Sequence, residues 1–268
     1  PGKEGFLKSA YSAYRERSLG LGAMGFHSYL QSRSLPFEGI YATGFNHKAF
    51  KYIKTQATRA SERLADERGE APDVSGSGRR NANLLAVAPN ASSSIICGGT
   101  SPSIEPYRAN VYTHKTLSGS YQVKNRHLEN LLDDKKLNKK ELELVWKDIA
   151  GHEGSVQHLD ILTDKEKEIF KTANELDQIW IIEHASQRQD YICQAQSVNL
   201  FFTIPTATEP QEVHDEYMQY VNDVHWYGMN KLKSLYYFRT NAARNAENVN
   251  IKVQRIKLDD AECIACEG

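Results

Sequence analysis

Cysteine is scarce in this chain: four in 268 residues, at positions 97, 193, 263 and 266, too few and too scattered for a secreted disulfide scaffold. No apolar run approaches the roughly 20 residues that span a bilayer, and the first residues lack a signal-peptide pattern. Net charge is nearly absent as well, with 33 Lys and Arg against 34 Asp and Glu. Such a balance gives no broad field to gather nucleic acid or an anionic membrane, so neither is an expected partner. A cytoplasmic protein fits these absences. No internal repeat is visible. What is present is ordinary for a globular chain: 40% hydrophobic and 25% charged residues, enough to bury one large core or two small ones.

Residues 6–34 and 47–68 read as helices, with Pro36, Gly39 and Gly44 as punctuation between them. A breaker-rich loop, GEAPDVSGSGRR, covers 69–80. NLLAVAP then forms a short apolar run suited to a buried strand, and NASSSII a turn entering a helix. Residues 101–125 read as irregular and 126–150 as charged, exposed helix, with a loop at Gly151–Gly154. Thr163 and Glu166 make a capping box for a helix striped by Ile169, Ala173, Leu176, Trp180 and His184. SVNLFFTIP (197–205) is a strand ending at Pro205. A helix over 211–234 follows, with Val213, Tyr217, Val221, Val224, Gly228 and Leu232 on one face, and LYYFRT closes the fold as a strand. From Asn241 onward the chain is polar and aperiodic, the pattern of a mobile tail. Helices alternating with isolated buried strands make the class α/β with long connections.

Four motifs bear on chemistry. Gly20-Leu21-Gly22-Ala23-Met24-Gly25 matches the dinucleotide pattern G-x-G-x-x-G, but that fingerprint needs a buried strand feeding the first glycine. Tyr14-Arg15-Glu16-Arg17-Ser18 precede it here, so the small residues are read as letting a helix pack closely. Ala88-Pro89-Asn90-Ala91-Ser92-Ser93-Ser94 has the better case: a buried strand delivers the chain to a helix start, where free N–H groups and the helix dipole suit a phosphate. A plain Ser/Asn helix cap is the competing account of the same residues. Cys263 and Cys266, six residues or fewer from the end, form a Cys-x-x-Cys with no second pair to complete a zinc site, which favours a redox dithiol. Cys97 and Cys193 read as small buried residues. Tyr236-Tyr237, taken alone, is two aromatics packing in a strand; neighbouring strand residues face opposite sides, so a stacked pair requires the strand to end or bend there.

The run AVAPNASSSIICGGTSPSIEPYRANVYTHKTLSGSYQVKNRHLENLL resembles the large-subunit signature of class I ribonucleotide reductases, in the form found in eukaryotes and large phages. The resemblance continues through CQAQSVNLFF and WYGMNKLKSLYYFRTNAA and ends in the C-terminal Cys-x-x-Cys. It covers most of residues 10–268 and is weakest over 130–170. It implies the C-terminal part of the large, catalytic subunit, either truncated or a split-gene product that lost its Met before Pro1. The implied fold is α/β: the second half of the ten-stranded reductase barrel over 1–240, then a flexible redox-active tail over 241–268.

The same resemblance assigns roles. Pro89, Asn90, Ala91, Ser92 and Ser93 would hold the diphosphate of a ribonucleoside diphosphate; threonine is commoner where Asn90 stands, so backbone donors would carry the contact. Tyr236 and Tyr237 would relay the radical, since a phenol can pass an electron and a proton together. Cys263 and Cys266 would re-reduce the catalytic disulfide, supplied by thioredoxin or glutaredoxin. No cofactor or metal is expected on the chain itself: the di-iron centre and tyrosyl radical would sit in the small subunit, and nucleotide effectors would bind upstream. The thiyl-radical cysteine of the family lies between Asn and Glu, and no Asn-x-Cys-x-Glu occurs in these 268 residues. The expected partners are therefore an N-terminal large-subunit chain and the small subunit. A noncatalytic redox or zinc-binding adaptor is the alternative.

Overall fold

The computed structural model describes residues 7–116 and 119–242. Helix α1, Leu7–Glu16, buries none of its residues and is tied at its end by an Arg15–Asp73 ion pair. At Arg17 (φ 46°) the chain leaves the helix and runs extended. The N–H groups of Leu19 and Leu21 donate to Asn83 and Leu84 carbonyls, and the Ala86 N–H returns to Leu21. A single helix over 6–34 is thereby corrected to α1 and α2 (Phe26–Ser32), with an extended segment between them. The reason is Gly20-Leu21-Gly22: glycine is a poor helix former, and here it permits close approach. A Cβ on Gly22 would lie 3.0 Å from the Ala86 oxygen. The small residues do serve packing, but of extended backbone rather than of a helix.

Helix α3 spans Ile40–Arg68, starting well before residue 47 and carrying Gly44 inside it. Its buried residues Ala42, Asn46, Phe50, Ser61 and Ala65 recur at helical spacing, and this stripe fixes its inner face. The apolar run at 84–87 is the expected buried strand. Leu85 bridges Leu21 on one side, and Val87 bridges Gln196 on the other, both in parallel. After the six-residue helix α4, Ala91–Ile96, residues 101–125 are not all irregular. β1 (Val111–Thr116) and β2 (Gly119–Lys124) form an antiparallel hairpin with Val111 opposite Lys124. β2 is largely solvated on both faces, so the apolar alternation that marks a strand is missing.

The charged stretch makes two helices, α5 (Arg126–Asp134) and α6 (Lys139–Gly151), split at Lys136 (φ 57°) and restarted by an Asn138/Glu141 capping box. They are not merely exposed. Leu128, Leu132, Trp146 and Ile149 are buried with Val111, Val156 and Phe170 in a satellite core. The Thr163/Glu166 capping box opens α7, Asp164–Ile169, but that helix does not continue to His184. α8, Gln178–Gln189, starts afresh at Asp177, whose side chain accepts from the Ile179 N–H. Gln178 Nε2 takes the Ala173 and Leu176 carbonyls, which bridges the break between the two helices. The stripe residues Ile169, Ala173, Leu176 and His184 are still buried, by loop and helix together.

β3 (Leu200–Ile204) pairs in parallel with β4 (Phe238–Ala242), and α9 (Gln211–Lys231) crosses between them. Extended segments near 19–21, 84–87, 194–204 and 236–242 therefore lie side by side, parallel and in chain order. Parallel neighbours need long crossovers, which α3, the hairpin with α5–α8, and α9 supply. This is the parallel wall that half of an α/β barrel requires. Its helical side is sealed by Phe26, Leu30, Phe37, Ile182, Leu200 and Val224. Gly228 on α9 lets that helix sit against the wall: a Cβ there would lie 3.1 Å from Leu235 and 3.3 Å from Ile182.

Candidate functional site

The turn Pro89–Ser93 sits at the C-terminal end of the 84–87 segment, where ligands bind in open parallel sheets. Asn90 adopts the left-handed conformation (φ 53°, ψ 30°), and its side chain makes no cap hydrogen bond to α4. The first helical bond is Ser94 N–H to the Asn90 carbonyl, so the N–H groups of Ala91, Ser92 and Ser93 precede the intrahelical ladder. Pro89 and Asn90 are half-buried and Ala91, Ser92 and Ser93 exposed. Ser94 is turned inward, its hydroxyl donating to the Ala91 carbonyl. A simple Asn cap is therefore not what this turn builds. It leaves backbone donors facing outward at a positive helix end.

The turn borders a cleft of about 690 Å³ lined in part by Ala91, Ser94, Tyr107, Arg108, Tyr112 and Thr240. Arg108 supplies positive charge there. Burial, then the neighbouring Arg239, lower its pKa, and Glu105 opposes them. A second cleft along α1, lined by Lys8, Ser12 and Glu16, is more open and touches none of the candidate residues.

Tyr236 and Tyr237 lie just before β4, where the ladder begins: Tyr236 N–H donates to Val198, and the Leu200 N–H to Tyr237. The strand start turns both rings together, with centroids 4.1 Å apart and planes tilted 48°. Each is about half exposed (49%). A hydrogen bond to Tyr237, then that neighbour's charge, raise the Tyr236 pKa. The Arg239 guanidinium lies 5.2 Å from the Tyr237 ring centroid.

Sequence reasoning missed a residue that is linked to the tyrosine pair. Glu105, 8% exposed on the loop after α4, accepts from Asn199 Nδ2 at 2.5 Å, and Asn199 Oδ1 accepts the Tyr237 N–H at 3.3 Å. Burial pushes the Glu105 carboxyl up to about 7 from an ordinary 4.5, against the opposing pull of Arg239, Asn199 and Arg108. Its sequence signal is an acidic residue inside the run SIEPYRAN. The native chain thus keeps a proton that the unfolded chain has released between pH 4.5 and about 7. Glu105 contributes stability that is full below pH 4.5 and lost as pH rises through about 7, by up to about 3 kcal/mol. His27 and His184, held neutral by burial at about 3 and about 4, push the other way below pH 6.5. Urea titrations from pH 4.5 to 8 should therefore show a steeper rise of stability with pH in Glu105→Gln than in the parent. Parallel profiles would mean that Glu105 is ionised throughout.

The free thiols differ from expectation. Cys97 is exposed, because it caps the solvent end of the short α4. Cys193 is half-buried, and its sulfur accepts from the Leu84 and Leu85 N–H groups at 2.9 and 3.0 Å. Burial raises its pKa, but those N–H groups and the Lys54 charge outweigh it and leave the thiol below its usual value. Cys263 and Cys266 lie outside the described residues.

Comparison with known proteins supplies the context. A family model described as "Ribonucleotide reductase, barrel domain" matches residues 6–77 and 71–238. The ribonucleoside-diphosphate reductase large subunit of Invertebrate iridescent virus 3 is 42% identical over 265 residues, covering 97% of this chain and 40% of that protein. The large subunit of Caenorhabditis elegans is 28% identical, covering 96% of this chain and 37% of that protein. Among solved structures, the Actinobacillus ureae class Id ribonucleotide reductase alpha subunit superposes with a TM-score of 0.74 at 38% identity, over 89% of this chain and 42% of that one. The chain thus spans about two fifths of the length of such relatives.

Proposed function

The chain belongs to the ribonucleotide reductase barrel family, and from that premise we propose that it supplies the C-terminal part of a ribonucleoside-diphosphate reductase large subunit. In this reading it works with an N-terminal large-subunit portion, which carries the thiyl-radical cysteine and the effector sites, and with a small subunit that generates the radical at its own di-iron centre. The observation that carries the reading is the uncapped helix start at Pro89–Ser93, beside a cleft that also reaches β4 just beyond the tyrosine pair. A diphosphate seated there would meet backbone N–H donors, the α4 dipole and Arg108. Tyr236 and Tyr237 would bring the oxidation in from the small subunit. Cys263 and Cys266 would return the active-site disulfide to dithiol, taking electrons from thioredoxin or glutaredoxin. The acidic neighbours Asp259, Asp260, Glu262 and Glu267 disfavour thiolate, so exchange would depend on proximity rather than on reactive sulfurs.

The test is calorimetric binding of a ribonucleoside diphosphate to the chain assembled with an N-terminal portion. Ser92→Asp places a negative charge in the first turn of α4, where the diphosphate would lie. Affinity should fall by an order of magnitude or more, because a hydrogen bond to a charged group is worth about 1.5–3 kcal/mol. The exposed side chain leaves folding intact. Unchanged affinity would move the diphosphate to another part of the barrel.

A further inference from the structure

We propose that Asp148, His152 and His158, none of which lines the cleft, form a site for a first-row divalent cation such as Zn²⁺ on the satellite core. Asp148 and His152 are four residues apart at the end of α6, so one helical turn brings both side chains to the same face. His158 comes from the following loop. Its place is set by packing, since Val156 and Leu159 flank it in the chain.

 Both Val156 and Leu159 are buried in the satellite cluster, at 0% and 6% exposure, so the loop between them is held against α6.

The donor atoms are already gathered. His152 Nδ1 lies 3.2 Å from one Asp148 carboxylate oxygen, and His158 Nε2 lies 3.1 Å from the other. The three ligand atoms all fall within 4.8 Å of one another. Tetrahedral zinc with bonds of about 2.1 Å places its donors about 3.4 Å apart, and each histidine nitrogen already lies about that far from one of the two Asp148 carboxylate oxygens. The imidazole rings stack with centroids 3.7 Å apart, and a turn of each ring would aim its nitrogen at a shared ion.

Charge favours the same reading. Asp148 sits in the last turn of α6, where the helix dipole disfavours a carboxylate and favours a cation. Among the described residues, the ion-pair partners of Asp148 are these two histidines, which bring nitrogen donors but no fixed charge. Two imidazoles and one carboxylate suit Zn²⁺, Ni²⁺ or Cu²⁺ far better than Mg²⁺ or Ca²⁺, which prefer all-oxygen sites. Asp148 and His152 are about half exposed, so water can complete the coordination shell. A bound ion would pin the end of α6 to the 155–162 loop.

The tail thiols Cys263 and Cys266 could also take zinc, so the experiment removes them first. The full chain carrying Cys263→Ser and Cys266→Ser is stripped with chelator and titrated with Zn²⁺ by calorimetry. It should bind one equivalent and melt at a higher temperature. Adding His152→Ala or His158→Ala should weaken binding at least about a hundredfold, since even outer partners of a metal ligand cost roughly 10- to 100-fold when lost. Asp148→Asn, which keeps the side-chain shape, should weaken it as well, with the far-ultraviolet circular dichroism of the ion-free chain unchanged. Zinc bound only when the two cysteines are present, or bound equally well by the histidine variants, overturns the proposal.

Discussion

Tyr236→Phe and Tyr237→Phe should each lower turnover of the reconstituted reductase by orders of magnitude while the small subunit still forms its radical. Phenylalanine keeps the ring and its packing but has no phenolic proton to release, so the step that couples electron and proton transfer is lost. The geometry makes this a clean substitution. The rings meet at 4.1 Å, and each is about half exposed, so little buried surface changes. Stability should shift by no more than about 0.5 kcal/mol, as for surface positions generally. Substrate affinity should be unchanged, because the diphosphate is assigned to α4 and not to the phenols. Steady-state turnover, with the small-subunit radical followed by electron paramagnetic resonance, checks this. Near-normal turnover in both variants would return the pair to plain packing.

The second large effect is complementation. The 268 residues contain no Asn-x-Cys-x-Glu, so this chain with the small subunit alone should reduce no nucleotide. Addition of an N-terminal large-subunit portion should restore activity. In that assembly, the double variant Cys263→Ser, Cys266→Ser should complete about one pre-reduced turnover and then stall with a thioredoxin-type donor. A small dithiol able to enter the pocket should rescue it, since the tail is assigned only to carrying electrons past a barrier of size. Appreciable reduction without the N-terminal portion would sink the functional reading. Undiminished multiple turnover by the double variant would instead remove only the tail from it.

Much of the fold was legible because its signals are local. Leu84, Leu85 and Val87, and then Leu200, Phe201 and Phe202, are buried in extended segments whose hydrophobicity does not depend on their neighbours. The capping box at Thr163 and Glu166 is satisfied within four residues, so it appeared as expected. The helix over 211–234 was anticipated to within a few residues of α9. Errors arose where a distant partner decided the conformation. Residues 17–25 follow a helix, yet they are drawn out straight by hydrogen bonds to residues 83–86. The break between α7 and α8 depends on Gln178 taking the Ala173 and Leu176 carbonyls and on its Oε1 accepting the Phe201 N–H from β3.

The candidate site divides in the same way. The sequence by itself determined the family, the helix-opening turn at Pro89–Ser93 and the adjacent tyrosines, because each is read from short runs of residue types. Only the tertiary structure decided that Asn90 leaves the helix uncapped, that Glu105 reaches the tyrosines through Asn199, and that Asp148 and His152 meet His158. Glu105 and Asn199 are 94 residues apart, and nothing local marks either as the other's partner. Their pairing follows from packing the loop after α4 against the wall that carries β3. The raised pKa of Glu105 follows from the same burial, since a carboxyl loses its hydration only when the rest of the chain closes over it.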